Sequence, residues 1–197
     1  YFDEIVVVPP PIELPLDFEL SGADYLREVF GGGSAVVAAD PLVGSNNALQ
    51  FNRPLGAEWW SGGVIDLDTA VDATTGSFSM ELYSTVALAY VELKFEQVAD
   101  SNQTIISTTH GGSGWETLTF DTSSGTITGT PSAATTVIFT PRVTSDGSHT
   151  QSADEVYYFD DIAVAGGSSG GGQLAVNGDI EAGDLSSWTT AENGGSI

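Results

Sequence analysis

The stretch SFSMELYS, residues 77–84, sets Phe78, Met80 and Leu82 against Ser79, Glu81 and Tyr83. Alternation with a period of two marks a strand with one face in a core and the other in water. The pattern recurs in YVELKFEQ, residues 90–97, where Val91, Leu93 and Phe95 alternate with Tyr90, Glu92 and Lys94. In WETLTFD, residues 115–121, Leu118 and Phe120 take one face, and Trp115, Thr117 and Thr119 the other. Turn-forming clusters (TTGS, ADSNQT, HGGSG, TSSGT and TSDGSH) separate such runs. A short helix is expected over residues 23–30, but LREVFGGG is too brief to found a helical domain. The chain therefore predicts an all-β fold, an antiparallel β-sandwich of jelly-roll type.

Composition narrows the function. The 197 residues suffice for one well-buried domain. Four basic residues (Arg27, Arg53, Lys94, Arg142) stand against 27 acidic ones, for a net charge of -23. That balance repels phosphate backbones and anionic lipid headgroups, so nucleic acid is not an expected partner. No apolar run nears the length of a membrane span, so insertion is not expected either. With no Cys there is neither a disulfide frame nor a thiolate metal site.

An internal repeat sets the expected organisation. YFDEIVVV, residues 1–8, matches YFDDIAVA, residues 158–165, in aromatic, acidic and aliphatic positions. A linker follows each copy, and each linker leads into a related pattern, LPLDFEL from Leu14 and LAVNGDIEAGDLSSW from Leu174. A repeat of this length points to an array of whole domains. Residues 1–8 read as the last strand of a preceding module, 9–13 as a linker and 14–164 as one complete module. Residues 165–173 are a Gly/Ser linker, and 174–197 open a following module.

LDFEL near the start, GAEWWSGGVIDLD in the middle, GWETLTFD later and YYFDDIAV at the end together resemble the jelly-roll carbohydrate-binding modules. These are carried by many secreted bacterial polysaccharide-degrading and surface proteins. The resemblance implies a non-catalytic sandwich that binds polysaccharide, located outside the cell, frequently with a structural calcium ion. It also implies that Glu19, just after Phe18, meets the acidic pair Asp160 and Asp161 of the last strand around that ion. Calcium takes six to eight oxygen ligands without strict geometry. Adjacent Asp residues on a strand point to opposite faces, and both registers contain apolar residues, so the sequence does not choose between the two. The acidic pair recurs as Asp3 and Glu4, and Glu19 as Glu181.

The aromatic candidates follow from strand parity. If residues 59–67 form one uninterrupted strand, Trp59 falls with Ile65 and Leu67, and Trp60 with Gly62, Val64 and Asp66. Trp59 is then core, and Trp60 an open platform for a pyranose ring; a bulge at the glycines would exchange the roles. Trp115, Tyr83 and Tyr90 share the polar parity of their strands. With neighbouring strands in one sheet, they would line a single surface with Glu81, Glu92 and Lys94. Residues 126–150 offer no aromatic platform beyond Phe139. His110 and His149 read as solvated loop residues. A glycosidase needs two carboxylates about 5–10 Å apart. Glu81 and Glu92 meet that only if their strands adjoin, and no nucleophile–base constellation stands out. The alternative function is a structural repeat of a long extracellular adhesin or filament without sugar binding, its partners being neighbouring modules or subunits of the same protein.

Overall fold

A computed structural model describes residues 10–165. Eleven strands run through them: β1 (Glu28–Phe30), β2 (Ser34–Ala39), β3 (Asn47–Arg53), β4 (Gly62–Val71), β5 (Ser77–Ser84), β6 (Leu88–Val98), β7 (Asn102–His110), β8 (Gly114–Asp121), β9 (Thr126–Thr128), β10 (Ala134–Arg142) and β11 (Glu155–Val164). They form two antiparallel sheets, one in the order β1-β4-β10-β6-β7-β9 and the other β2-β3-β11-β5-β8. The predicted alternation holds: Phe78, Met80, Leu82, Val91, Leu93, Phe95, Leu118 and Phe120 are all buried.

The sheets are joined through their rings. Phe78 of β5 stacks on Phe95 of β6 at 4.0 Å, and Phe139 of β10 lies 4.5 Å from Phe159 of β11. Each fully buried Phe contributes about 1.5–3 kcal/mol through removal of its surface from water. Phe139 is thus core, not a platform. The segments at the two ends of the sandwich meet as well, since the N–H of Leu16 donates to the carbonyl of Ile162 at 2.9 Å and the reverse bond is 3.2 Å.

The helix expected over residues 23–30 does not form. Val29 and Phe30 pair with Gly63 and Gly62 as strand β1. Gly31 and Gly32 follow at φ 69° and 81°, and this positive-φ pair turns the chain towards β2. Burial of the β-prone Val29 and Phe30 against β4 outweighs a helix too short to nucleate. Residues 10–13, within the expected linker, lie along β4: the N–H of Asp68 donates to the Ile12 carbonyl at 2.7 Å, and the Ile12 N–H donates to the Asp68 carboxylate at 2.8 Å. Residues 1–8 and 174–197, assigned to neighbouring modules, lie outside the described residues. Among the described residues no helix is long and apolar enough to cross a membrane.

Candidate functional site

The outer face of the five-stranded sheet carries one continuous cross-strand row. Val36 of β2 faces Gln50 of β3, Gln50 faces Tyr158 of β11, Tyr158 faces Tyr83 of β5, and Tyr83 faces Trp115 of β8. Parity places these side chains outward because Phe51, Phe159, Leu82 and Leu118 point into the core. Tyr83 stands edge-on to both neighbours, 5.7 Å from Trp115 and 5.9 Å from Tyr158. Beside the row lies a groove of about 460 Å³ lined by Gln50, Tyr83, Val86, Asp154, Val156 and Tyr158. At the Trp115 end a smaller hollow of about 190 Å³ is lined by Asp40, Asn46, Glu81, Asp160 and Asp161.

Trp115 is held from two sides. Its indole N–H donates to Asp40 Oδ1 at 3.3 Å. Asp40 also accepts from the N–H groups of Leu42 and Val43. Partial desolvation opposes these bonds, yet together they hold its carboxyl below the usual range. On the other side His110 is buried, not solvated. Its Nε2 lies 2.9 Å from the Leu82 carbonyl and 3.1 Å from that of Gly114, and its Nδ1 accepts from the N–H of Gly112. The ring therefore pins the turn immediately before Trp115. Glu116 closes the same turn, accepting from the N–H of Gly111 and the hydroxyl of Ser113.

The remaining aromatic candidates lie elsewhere. Tyr90 belongs to β6 of the opposite sheet, so the single surface joining it to Tyr83 and Trp115 does not exist. Glu81 and Glu92 are separated in the same way and do not face each other. The uninterrupted strand over residues 59–67 is also absent: turns occupy residues 54–61, and β4 begins at Gly62, where pairing with Phe30 starts. Trp59 is consequently not core. It is half-buried under Arg142, whose guanidinium carbon lies 4.9 Å from its ring centre and 4.8 Å from that of Tyr90. This cation–π sandwich takes up one face of each ring. Trp60 is 42% exposed and stacks on Phe30 at 6.0 Å. His149 sits 2.7 Å from Glu155 rather than free in a loop.

The acidic trio is brought near but not gathered. Both carboxylate oxygens of Glu19 accept from Asn47, at 2.6 Å from its N–H and 2.7 Å from its amide. Asp160 is buried and accepts from Asn46 Nδ2 and from the N–H of Asp161. Burial pushes its carboxyl up to about 7; those two bonds hold it back, and the charges of Asp161 and Asp17 add to the rise. A register shift against β5 after Asp160, with Asp161 at φ 47°, turns Ile162 into the core and leaves Asp161 exposed. Among the described residues, no group of three or more His, Asp or Glu comes together to hold a metal ion.

Tyr158 and Gln50 were within reach of the sequence. Each sits at opposite parity to a buried Phe (Phe159 or Phe51), but only strand order places them beside Tyr83.

No protein-family model matches the chain, and no curated protein matches it. Solved structures do. A family 11 carbohydrate-binding module from Clostridium thermocellum, in complex with a β-1,3-1,4-mixed-linked tetrasaccharide, matches at TM-score 0.50 and 15% identity, covering 74% of this chain and 90% of that one. The family 11 module of the cellulosomal cellulase Lic26A-Cel5E from the same organism matches at 0.50 and 15%, covering 79% and 94%. An exo-β-agarase matches at 0.53 and 11%, covering 75% of this chain and 24% of the enzyme. At these identities the likeness is one of fold: this chain folds as carbohydrate-binding modules do.

Proposed function

We propose that the protein is a non-catalytic, extracellular polysaccharide-binding module whose ligand lies along the row Trp115, Tyr83 and Tyr158. The observation that carries this reading is the alignment of three aromatic side chains from adjacent strands beside an open groove. Pyranose rings present apolar C–H faces that pack on aromatic surfaces, while hydroxyls bond polar neighbours such as Gln50 and Asp154. Trp60, on its Phe30 support, offers a single separate ring. Trp59 and Tyr90 are weaker candidates, because Arg142 covers a face of each.

Retention on a panel of soluble polysaccharides, mixed-linked β-glucan included, tests the reading. The unmodified protein should be retarded in affinity gels, and Tyr83→Ala or Trp115→Ala should weaken binding on the order of a hundredfold at unchanged melting temperature. Undiminished binding by both variants would move the site away from the row. Failure of the unmodified protein to bind any polysaccharide would favour the structural repeat of an adhesin or filament.

Calcium belongs to the same proposal. Asp160 is a buried carboxylate with Asp161 and Asp17 nearby, and it forms no ion pair with a cationic side chain among the described residues. A hard cation would relieve that arrangement, with Asp160 the residue of the trio best placed to ligate it. Glu19 would join only by leaving Asn47. Millimolar calcium should raise the melting temperature by several degrees, and Asp160→Asn should abolish the rise. An identical melting curve with calcium and with chelator would end the calcium reading.

A further inference from the structure

The chain has four cationic side chains from Lys and Arg, and each faces a carboxylate. Arg27 bonds Asp66 at 2.7 Å, Arg53 bonds Glu155 at 3.0 Å, Arg142 reaches Glu92 at 3.4 Å, and Lys94 pairs with Glu96. Their positions are as informative as their pairing. Arg27 precedes β1 and bonds to β4, while Lys94 and Arg142 lie on β6 and β10, all in the six-stranded sheet. Arg53 is buried at the end of β3 with its side chain on the core parity of Leu49 and Phe51. His149 is engaged by Glu155, and His110 is enclosed by backbone groups. The outer face of the five-stranded sheet therefore carries no cation among the described residues. Around its aromatic row lie Asp40, Glu81 and Asp161 at the Trp115 end and Asp154 beside Tyr158.

We infer that this face selects uncharged glycan chains and excludes those bearing uronate or sulfate groups. The inference rests on the polysaccharide-binding reading of the row and names the ligand class for it. An anionic chain laid on Tyr158, Tyr83 and Trp115 would bring each charged group close to a carboxylate, with no cation on that face to offset the repulsion. A neutral chain meets no such barrier, because stacking and hydroxyl hydrogen bonds do not depend on net charge. Carboxylates accept two hydroxyl hydrogen bonds readily, so Glu81 and Asp154 would serve a neutral ligand as acceptors.

The test uses the full chain against neutral mixed-linked β-glucan and xyloglucan and against polygalacturonate, alginate and a sulfated galactan. Neutral binding is expected to hold within about twofold as salt rises from about 20 mM to about 500 mM. The anionic polymers should bind at least about a hundredfold more weakly. Retention of an anionic polymer that disappears in Tyr83→Ala would overturn the charge selection and leave the polysaccharide-binding reading standing. Retention of no polymer at all would overturn that reading, and the selection with it.

Discussion

Replacing Gly62 by alanine is expected to destabilise the fold by more than about 3 kcal/mol, enough to leave much of the protein unfolded or insoluble. A Cβ at this position would stand 2.1 Å from the carbonyl oxygen of Phe139 and 2.8 Å from the ring of Phe30. Side-chain adjustment relieves only the second of these. The first lies on the backbone of β10, whose ladder is bonded to β4 on one side and to β6 on the other. Retreat of that strand would disturb the middle of the six-stranded sheet. Gly62 is therefore demanded by space and not by an unusual φ. Chemical denaturation checks the expectation, and a midpoint close to that of the unmodified protein would refute the close approach of β4 and β10.

Loss of the Glu155 carboxylate should cost nearly as much. Its Oε2 accepts from Arg53 Nη1 at 3.0 Å and from the Tyr157 hydroxyl at 2.7 Å, while Oε1 lies 2.7 Å from His149 Nε2. The Arg53 side chain is 3% exposed, so Glu155→Ala leaves a guanidinium enclosed without its counter-charge. Breaking a buried pair from one side costs about 3–5 kcal/mol, mainly through the stranded partner. For a domain of this size that corresponds to a fall in melting temperature of roughly 10 °C. Arg53→Met in the same chain should recover part of the loss, because it removes the unpaired charge. A fall of under about 1 kcal/mol in the single variant would mean that water screens the pair.

These two sites differ in how far they were visible beforehand. Alternation in residues 77–84, 90–97 and 115–121 was enough to specify a sandwich, because a period of two with large apolar residues has few other solutions. The outward facing of Tyr83 and Trp115 came from the same parity. The trio Glu155, Arg53 and Tyr157 carried no such signal: Arg53 lies 102 residues from Glu155 and meets it only through the pairing of β3 with β11. Trp59 falls outside the core for a related reason, while Trp60 is exposed as expected. Parity applies only inside a strand, and the chain turns through residues 54–61 before β4 begins.

His110 illustrates the limit most plainly. HGGSG is a turn signal, and its histidine sits at the strand end where a solvated ring is the ordinary expectation. Its burial depends on the carbonyls of Leu82 and Gly114, which the β5–β8 pairing brings within reach. Local pattern thus determined which residues form strands, which face each shows to the core, and that the surface as a whole is strongly acidic. Strand order, set by long-range burial of Phe51, Phe78, Phe95, Phe139 and Phe159, decided the rest. It alone placed Tyr158, Tyr83 and Trp115 in one row, sent Tyr90 and Glu92 to the opposite sheet, and left every Lys and Arg side chain off the aromatic face.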